Sequence, residues 1–267
     1  VGAATVSNNE QLSDEQLLRY NRQILLNDFD VEGQERLLRA AVLVVGLGGL
    51  GCPAALYLAA AGVGTLLLAD GDVVELGNLQ RQIAHGDADI GHNKAASAAE
   101  SIAQLNPGVA VEVIPRQLAE ADMPGLIGRA DVVVDATDNY TARFALNRAC
   151  IAAGVPLVSA AAVRSEGQIS VFDPVRGGPC YRCLYPDTDS DTALRCSESG
   201  VLAPVVGVLG SLQAMEALKI LAGYGDILRG KLLLLDLRSM DIRRLVLSPR
   251  ADCPDCSHLS HLSHLQR

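Results

Sequence analysis

The sequence predicts an α/β fold: a mostly parallel sheet flanked by helices, continuing into antiparallel strands. Three observations carry that prediction. Short apolar runs alternate with Ala/Leu-rich helical stretches through the first half of the chain. One such run, ending in Val44-Val45, leads into Gly46-Leu47-Gly48-Gly49-Leu50-Gly51, a glycine turn that opens a helix. The second half instead joins neighbouring strands through short polar turns.

The elements follow in order. Ser13 and Gln16 form a capping box that starts a helix over 13–25, with Arg19 and Arg22 on its polar side. A strand at Ala41–Val45 runs into the glycine turn and a helix over 50–61. The second strand, Thr65–Ala69, ends at Asp70. A helix over 95–105 precedes a third strand at 109–114. The fourth, 131–134, runs to Asp135 and on to Thr137-Asp138-Asn139. This β-α-β-α-β alternation makes the sheet Rossmann-like. Strands at 156–163 and 168–172 read as an antiparallel pair, and 186–200 as a polar, acidic, mobile loop. A helix over 204–222 and a hairpin at 231–237 and 243–247 complete the chain. With no linker and no repeat, 13–257 reads as one domain between loose tails at 1–12 and 258–267.

At 267 residues and 49% hydrophobic content the chain can bury a sizeable core. Its net charge of −9 argues against nucleic-acid or anionic-membrane partners, which would be repelled overall. Its apolar runs read as too short to span a bilayer, and the N-terminus lacks the pattern of a signal peptide, so a cytoplasmic location is expected. In such a chain paired cysteines more often hold metal than bridge each other.

The glycine turn alone says only that a nucleotide binds. Gly46, Gly48 and Gly51 fit G-x-G-x-x-G, and Asp70 stands about 20 residues beyond it, where a ribose-binding acid is expected. Arg81 and Lys94 fall where the topology returns to the crevice at the carboxyl ends of the strands. A bridged pyrophosphate needs only helix-end amides, whereas a triphosphate expelling pyrophosphate needs cations on the leaving group. The set therefore points to ATP. Asp138 either caps the following helix or holds Mg²⁺ against the phosphates, and Asp135 reads as strand-end structure. Cys180, Cys183, Cys253 and Cys256 form two C-x₂-C knuckles suited to a closed, structural Zn²⁺. Cys196, in the acidic loop, is either packing or a thiol nucleophile, while Cys52 and Cys150 read as core. His258, His261 and His264 read as a frayed tail rather than a weak metal site.

Several separated motifs resemble the MoeB/ThiF adenylyltransferases, prokaryotic relatives of the ubiquitin-activating enzymes. They are Arg19-Tyr20-Asn21-Arg22-Gln23-Ile24, the glycine loop, Asn78-Leu79-Gln80-Arg81-Gln82, Thr137-Asp138-Asn139, Glu166-Gly167-Gln168, Cys180–Cys183 and Gly210-Ser211-Leu212-Gln213-Ala214. The resemblance runs from about Leu12 to Cys256. It implies activation by ATP of the C-terminal Gly-Gly carboxylate of a small ubiquitin-like sulfur-carrier protein. An acyl-adenylate and pyrophosphate are the expected products. By the family pattern Gly49 and Asp70 hold the nucleotide, and Asn78, Arg81 and Lys94 contact its phosphates, with Leu79, Gln80 and Asn139 counted beside them. Asp138 becomes the magnesium-linked catalytic acid, and Arg22 an arginine supplied in trans within a homodimer. Two carriers are in view, MoaD-like in molybdopterin synthesis and ThiS-like in thiamine synthesis. The segment 161–168 and Gln213-Ala214-Met215-Glu216-Ala217 lean to the first; Gly51-Cys52-Pro53 and Leu68-Ala69-Asp70 lean to the second. The molybdopterin branch is favoured. No sulfurtransferase domain follows the second knuckle in this chain, so a separate sulfur donor protein is expected. A nicotinamide oxidoreductase would leave Arg81, Lys94 and the knuckles idle, and no Tyr-x-x-x-Lys pair is present. A scaffold that only docks the carrier would leave the same charged set without a task.

Overall fold

The computed structural model describes residues 12–185 and 200–261. Ser13 and Gln16 form the expected capping box, with Ser13 Oγ accepting from the Gln16 N–H at 3.2 Å. The single helix expected over 13–25 is two, α1 (Asp14–Arg19) and α2 (Asn21–Ile24). They break at Tyr20, whose backbone leaves helical geometry while its ring is buried and its hydroxyl accepts from Asn106 Nδ2. A helix that the periodicity did not reveal, α3 (Asp30–Arg39), precedes the first strand. Half of its residues are charged, and only Gly33, Gln34 and Leu37 are buried, so its apolar stripe is too thin to read.

From there alternation takes over: β1 (Ala41–Val45), α4 (Gly51–Ala60), β2 (Thr65–Ala69), α5 (Lys94–Leu105), β3 (Ala110–Ile114), α6 (Met123–Ile127), β4 (Val132–Asp135), α7 (Tyr140–Ala153) and β5 (Leu157–Val163). These strands pair in parallel in the order β3-β2-β1-β4-β5. β6 (Glu166–Phe172), β7 (Lys231–Asp236) and β8 (Asp241–Val246) extend the same sheet antiparallel, with α8 (Tyr181–Leu184) and α9 (Ala203–Ala222) between β6 and β7. Strand order reverses between β1 and β4, which opens a crevice at their carboxyl ends.

Both faces of the parallel half are buried from β2 to β5, as helices on each side demand, while the edge strand β3 is partly exposed. Val42 and Val44 point into one core with α4, α5 and α9, while Leu43 and Val45 point into the other with α6 and α7. Each fully buried aliphatic side chain contributes about 1.5–3 kcal/mol. α9 corrects the expectation that no segment is long enough to span a bilayer. Of its 20 residues, an 18-residue window has a mean hydropathy of 1.5, long and apolar enough by that measure. It instead packs on α3, α4 and β4 to β6, with Gln213 and Glu216 buried and hydrogen-bonded. A continuous apolar surface is what a helix laid across a sheet requires.

At the far end Ser257–His261 form a 3-10 turn that runs from the domain into the segment read as a tail, and Leu259 packs against the cysteines. Cys196, nearly all of the 186–200 loop, His264 and the side chain of His261 lie outside the described residues.

Candidate active site

The crevice between β1 and β4 opens into a cleft of about 1040 Å³. Its floor is the glycine turn. Gly46 has φ +92°, and a Cβ there would stand 2.8 Å from the Ala136 carbonyl oxygen. A Cβ on Gly51 would stand 1.8 Å from the Gly46 oxygen, so this glycine lets helix α4 start against the turn. Gly48 differs. A Cβ there would meet nothing closer than Gln82 Nε2 at 3.6 Å, so protein packing does not require the glycine and the open space belongs to the cleft. The first turn of α4 has no side-chain cap, but within it the Cys52 N–H donates to the Gly48 carbonyl at 3.0 Å and Pro53 has no N–H, so an anion there is left the N–H groups of the preceding glycine turn.

Asp70 follows β2 and is tied to the turn. Its Oδ2 accepts from the Leu47 N–H at 2.6 Å and its Oδ1 from the Asp72 N–H at 2.8 Å. Burial pushes its carboxyl above the ordinary Asp value, while those N–H donors and the Lys94 charge pull it back. Lys94 opens α5 and is buried, with its ammonium 3.0 Å from Asp72 Oδ2. Asn93 caps that helix and donates to the Asp70 and Asp72 carbonyls, which fixes where Lys94 stands. Arg81 is half-buried in the turn that follows the 3-10 segment Leu76–Asn78 and, among the described residues, reaches only the Gly77 carbonyl, at 3.0 Å.

β4 supplies the opposite wall. Asp135 is fully buried and accepts from the Thr137 N–H, the Thr137 hydroxyl and the Ser159 hydroxyl, which makes it a structural anchor. The buried Arg143 is 3.9 Å from it and braces the same turn through the Thr137 carbonyl. Asn139, not Asp138, caps α7, accepting from the Ala142 N–H at 2.8 Å. Asp138 is left exposed at the cleft edge, its carboxylate without a hydrogen bond or ion pair among the described residues.

Gly46, Gly48, Gly49, Asp70, Asn78, Gln80, Arg81, Lys94, Asp138 and Asn139 therefore line one cleft, although they come from five separate stretches of chain. Leu79 is half-buried beside it and is not part of the lining. Arg22, exposed on α2, does not reach the cleft of its own chain. Sequence reasoning passed over Asp72, Gln82, Arg116 and Arg148, which also line it. The Asp-Gly-Asp run after β2 was the available signal for Asp72; the two arginines carry no local signal, because only the sheet order brings them to the rim.

The cysteines make a second centre. Cys180, Cys183, Cys253 and Cys256 offer sulfur atoms that all lie within 4.8 Å of one another, the nearest pairs at 3.5 Å and 3.8 Å. Such a cluster could hold a metal ion, with no ligand position left open. The Arg250 N–H points at Cys183 Sγ from 3.4 Å, favouring thiolate. Asn147 on α7 joins the two knuckles, donating to Asp255 Oδ2 at 2.9 Å and accepting from the Tyr181 N–H at 2.8 Å. Cys52 and Cys150 are buried in the cores as expected, and burial pushes the Cys52 thiol up to about 12, which leaves it inert.

Known proteins resemble this chain in sequence and in fold. A molybdopterin-synthase adenylyltransferase of Escherichia coli is 51% identical over 243 residues, 91% of this chain and 97% of that protein. A sulfur carrier protein ThiS adenylyltransferase of Escherichia coli is 46% identical, again over 91% of this chain and covering 96% of that protein. The crystal structure of Escherichia coli MccB with MccA superposes with a TM-score of 0.78 over 92% of this chain and 75% of that one, at 24% identity, a likeness of fold. Residues 20–256 match the ThiF family, and the chain belongs to it.

Proposed function

We propose that this chain adenylylates the C-terminal Gly-Gly carboxylate of a small ubiquitin-like sulfur-carrier protein, for sulfur transfer in molybdopterin synthesis. A carboxylate oxygen of the carrier attacks the α-phosphorus of ATP. The bond from that phosphorus to the bridging oxygen breaks, pyrophosphate leaves, and an acyl-adenylate remains for a separate sulfur donor. The carrying observation is the gathering of Asp70, Arg81, Lys94 and Asp138 around one glycine-floored cleft. The 51% identity to the molybdopterin-synthase enzyme favours a MoaD-like carrier over the ThiS-like one.

The chemistry explains the layout. Two anions must meet, and unscreened they repel. A cation about 4 Å from a phosphate offsets about 4 kcal/mol at an effective dielectric of about 20. Arg81 and Lys94 are assigned to that screening, and Lys94, salt-bridged and buried, cannot swing away. Asp70 is assigned to the ribose, with Asn78, Leu79, Gln80 and Asn139 around the nucleotide. The glycine turn that leads into α4 and the space at Gly48 suit a phosphate. Asp138 has the exposed, unpartnered carboxylate that Mg²⁺ requires, and there the ion would neutralise phosphate oxygens.

Arg22 is assigned to the partner subunit's cleft in a homodimer, which fits its exposed place outside its own. The cysteine centre suits Zn²⁺: four thiolates about 2.3 Å from the ion stand about 3.8 Å apart, close to the spacing here. Residues 13–257 act as one domain, in keeping with one continuous sheet, and free cysteines suit the cytoplasm. ATP–pyrophosphate exchange, run separately with each Gly-Gly carrier, tests the reading. Exchange dependent on the MoaD-like carrier is expected, and no exchange with any carrier overturns it.

A further inference from the structure

Leu47 sits between Gly46 and Gly48, and its peptide is held at both ends. Its N–H donates to Asp70 Oδ2 at 2.6 Å. Its carbonyl lies 3.1 Å from His85 Nε2 and accepts from Cys52 Sγ at 3.2 Å. His85 Nδ1 is 2.8 Å from Ser97 Oγ. These partners assign a neutral ring that carries its proton on Nε2, donates to the carbonyl and accepts the Ser97 hydroxyl. Burial, the largest influence on the ring, holds its basicity below that of ordinary histidine and keeps it in that form.

The contacts close into a circuit. Ser97 lies one turn along α5 from Lys94. Lys94 pairs with Asp72, the Asp72 N–H donates to Asp70, and Asp70 returns to the Leu47 N–H. The circuit joins the glycine turn, the end of β2, the start of α5 and the segment that carries Arg81. A glycine turn is poorly able to keep its own shape, because residues without Cβ sample the widest range of φ and ψ. A phosphate that must first order the turn loses part of its binding free energy to that ordering.

We infer that His85 is a positioning residue for nucleotide binding: it fixes the Leu47 carbonyl, so that the Gly48 and Gly49 N–H groups are already in place when phosphate arrives. This rests on the ATP reading above. A merely structural histidine would change melting and leave affinity alone, so the two roles separate by measurement.

The test titrates ATP into the full chain by calorimetry without a carrier, and melts each unliganded protein. His85→Met fills the volume but donates nothing, whereas His85→Gln keeps a donor near the Nε2 position. The Met variant is expected to bind ATP about three- to tenfold more weakly, the worth of one neutral hydrogen bond, and the Gln variant to regain most of that. In the exchange assay the loss should sit in KM for ATP rather than in kcat. Ser97→Ala frees the ring from its orientation and is expected to weaken ATP about threefold. It decides the matter should His85→Met fail to fold. Unchanged affinity in a folded His85→Met or, failing that, in Ser97→Ala overturns the inference, as does a loss that His85→Gln does not restore. A wild-type chain that binds no ATP overturns the ATP reading instead.

Discussion

At the cleft, Asp138 carries no side-chain partner among the described residues and Arg81 reaches only a carbonyl on its own segment. At the cysteine cluster the opposite holds: four sulfurs face one another, an N–H points at one of them, and Asn147 ties both knuckles to α7. Both centres meet at α7, which begins beside Asp138 and carries Asn147 midway. Of the groups assigned to substrate, Asp138 and Arg81 are left largely unsatisfied by the protein and stay near solvent, where an unpaired charge costs little, whereas Lys94 and Asp70 are held in place by an ion pair and N–H donors. Groups that hold the fold are paired and buried, because a buried polar group without a partner is expensive.

That contrast can be broken by substitution. The largest effect is expected from Asp138→Ala, which should lower carrier-dependent pyrophosphate exchange by about a thousandfold or more while the melting temperature stays at the wild-type value. A variant that loses stability instead would make Asp138 a structural residue. Arg22→Ala should be comparably inactive, and mixing it with Asp138→Ala should recover activity in mixed dimers. No recovery would mean that Arg22 does not act across the interface. Cys253→Ala should abolish the zinc content proposed for this centre, measured with a chromogenic chelator against wild type, and lower the melting temperature by about 10 °C or more.

Smaller effects sharpen the contrast within each region. Asp135, three residues before Asp138, accepts three hydrogen bonds in the core. Asp135→Asn should cost about 2–4 kcal/mol, read as a fall of about 5–10 °C in melting temperature. Two neighbouring aspartates would then differ in kind, one losing rate and the other stability. Gly48→Ala should melt like wild type, since its Cβ has room, yet bind ATP about tenfold more weakly because the methyl group takes ligand space.

Much of this was legible in the chain. β1 and β2 lie where apolar runs end at Gly46 and Asp70, since a buried parallel strand needs apolar residues on both faces. Both knuckles were visible as spacing alone. The break at Tyr20 was not, because it follows from burial of the ring and a bond to Asn106, far along the chain. α3 was hidden by its charge. The choice at Asp138 was open in sequence, where either residue of Asp138-Asn139 could cap α7; the backbone at Asn139 decides it, extended as a cap requires.

Local chemistry thus determined the residue types and the order of elements: glycines where backbone must pass closely, cysteine pairs at ligand spacing, apolar runs at strand period. Tertiary structure decided which of these meet. The reversal of strand order between β1 and β4 converges distant stretches on one cleft, brings Arg116 and Arg148 to its rim, and closes the circuit from Leu47 through His85 to Lys94. Those contacts join residues far apart in the chain, and hydrogen bonds and burial across such distances exist only once the sheet has formed.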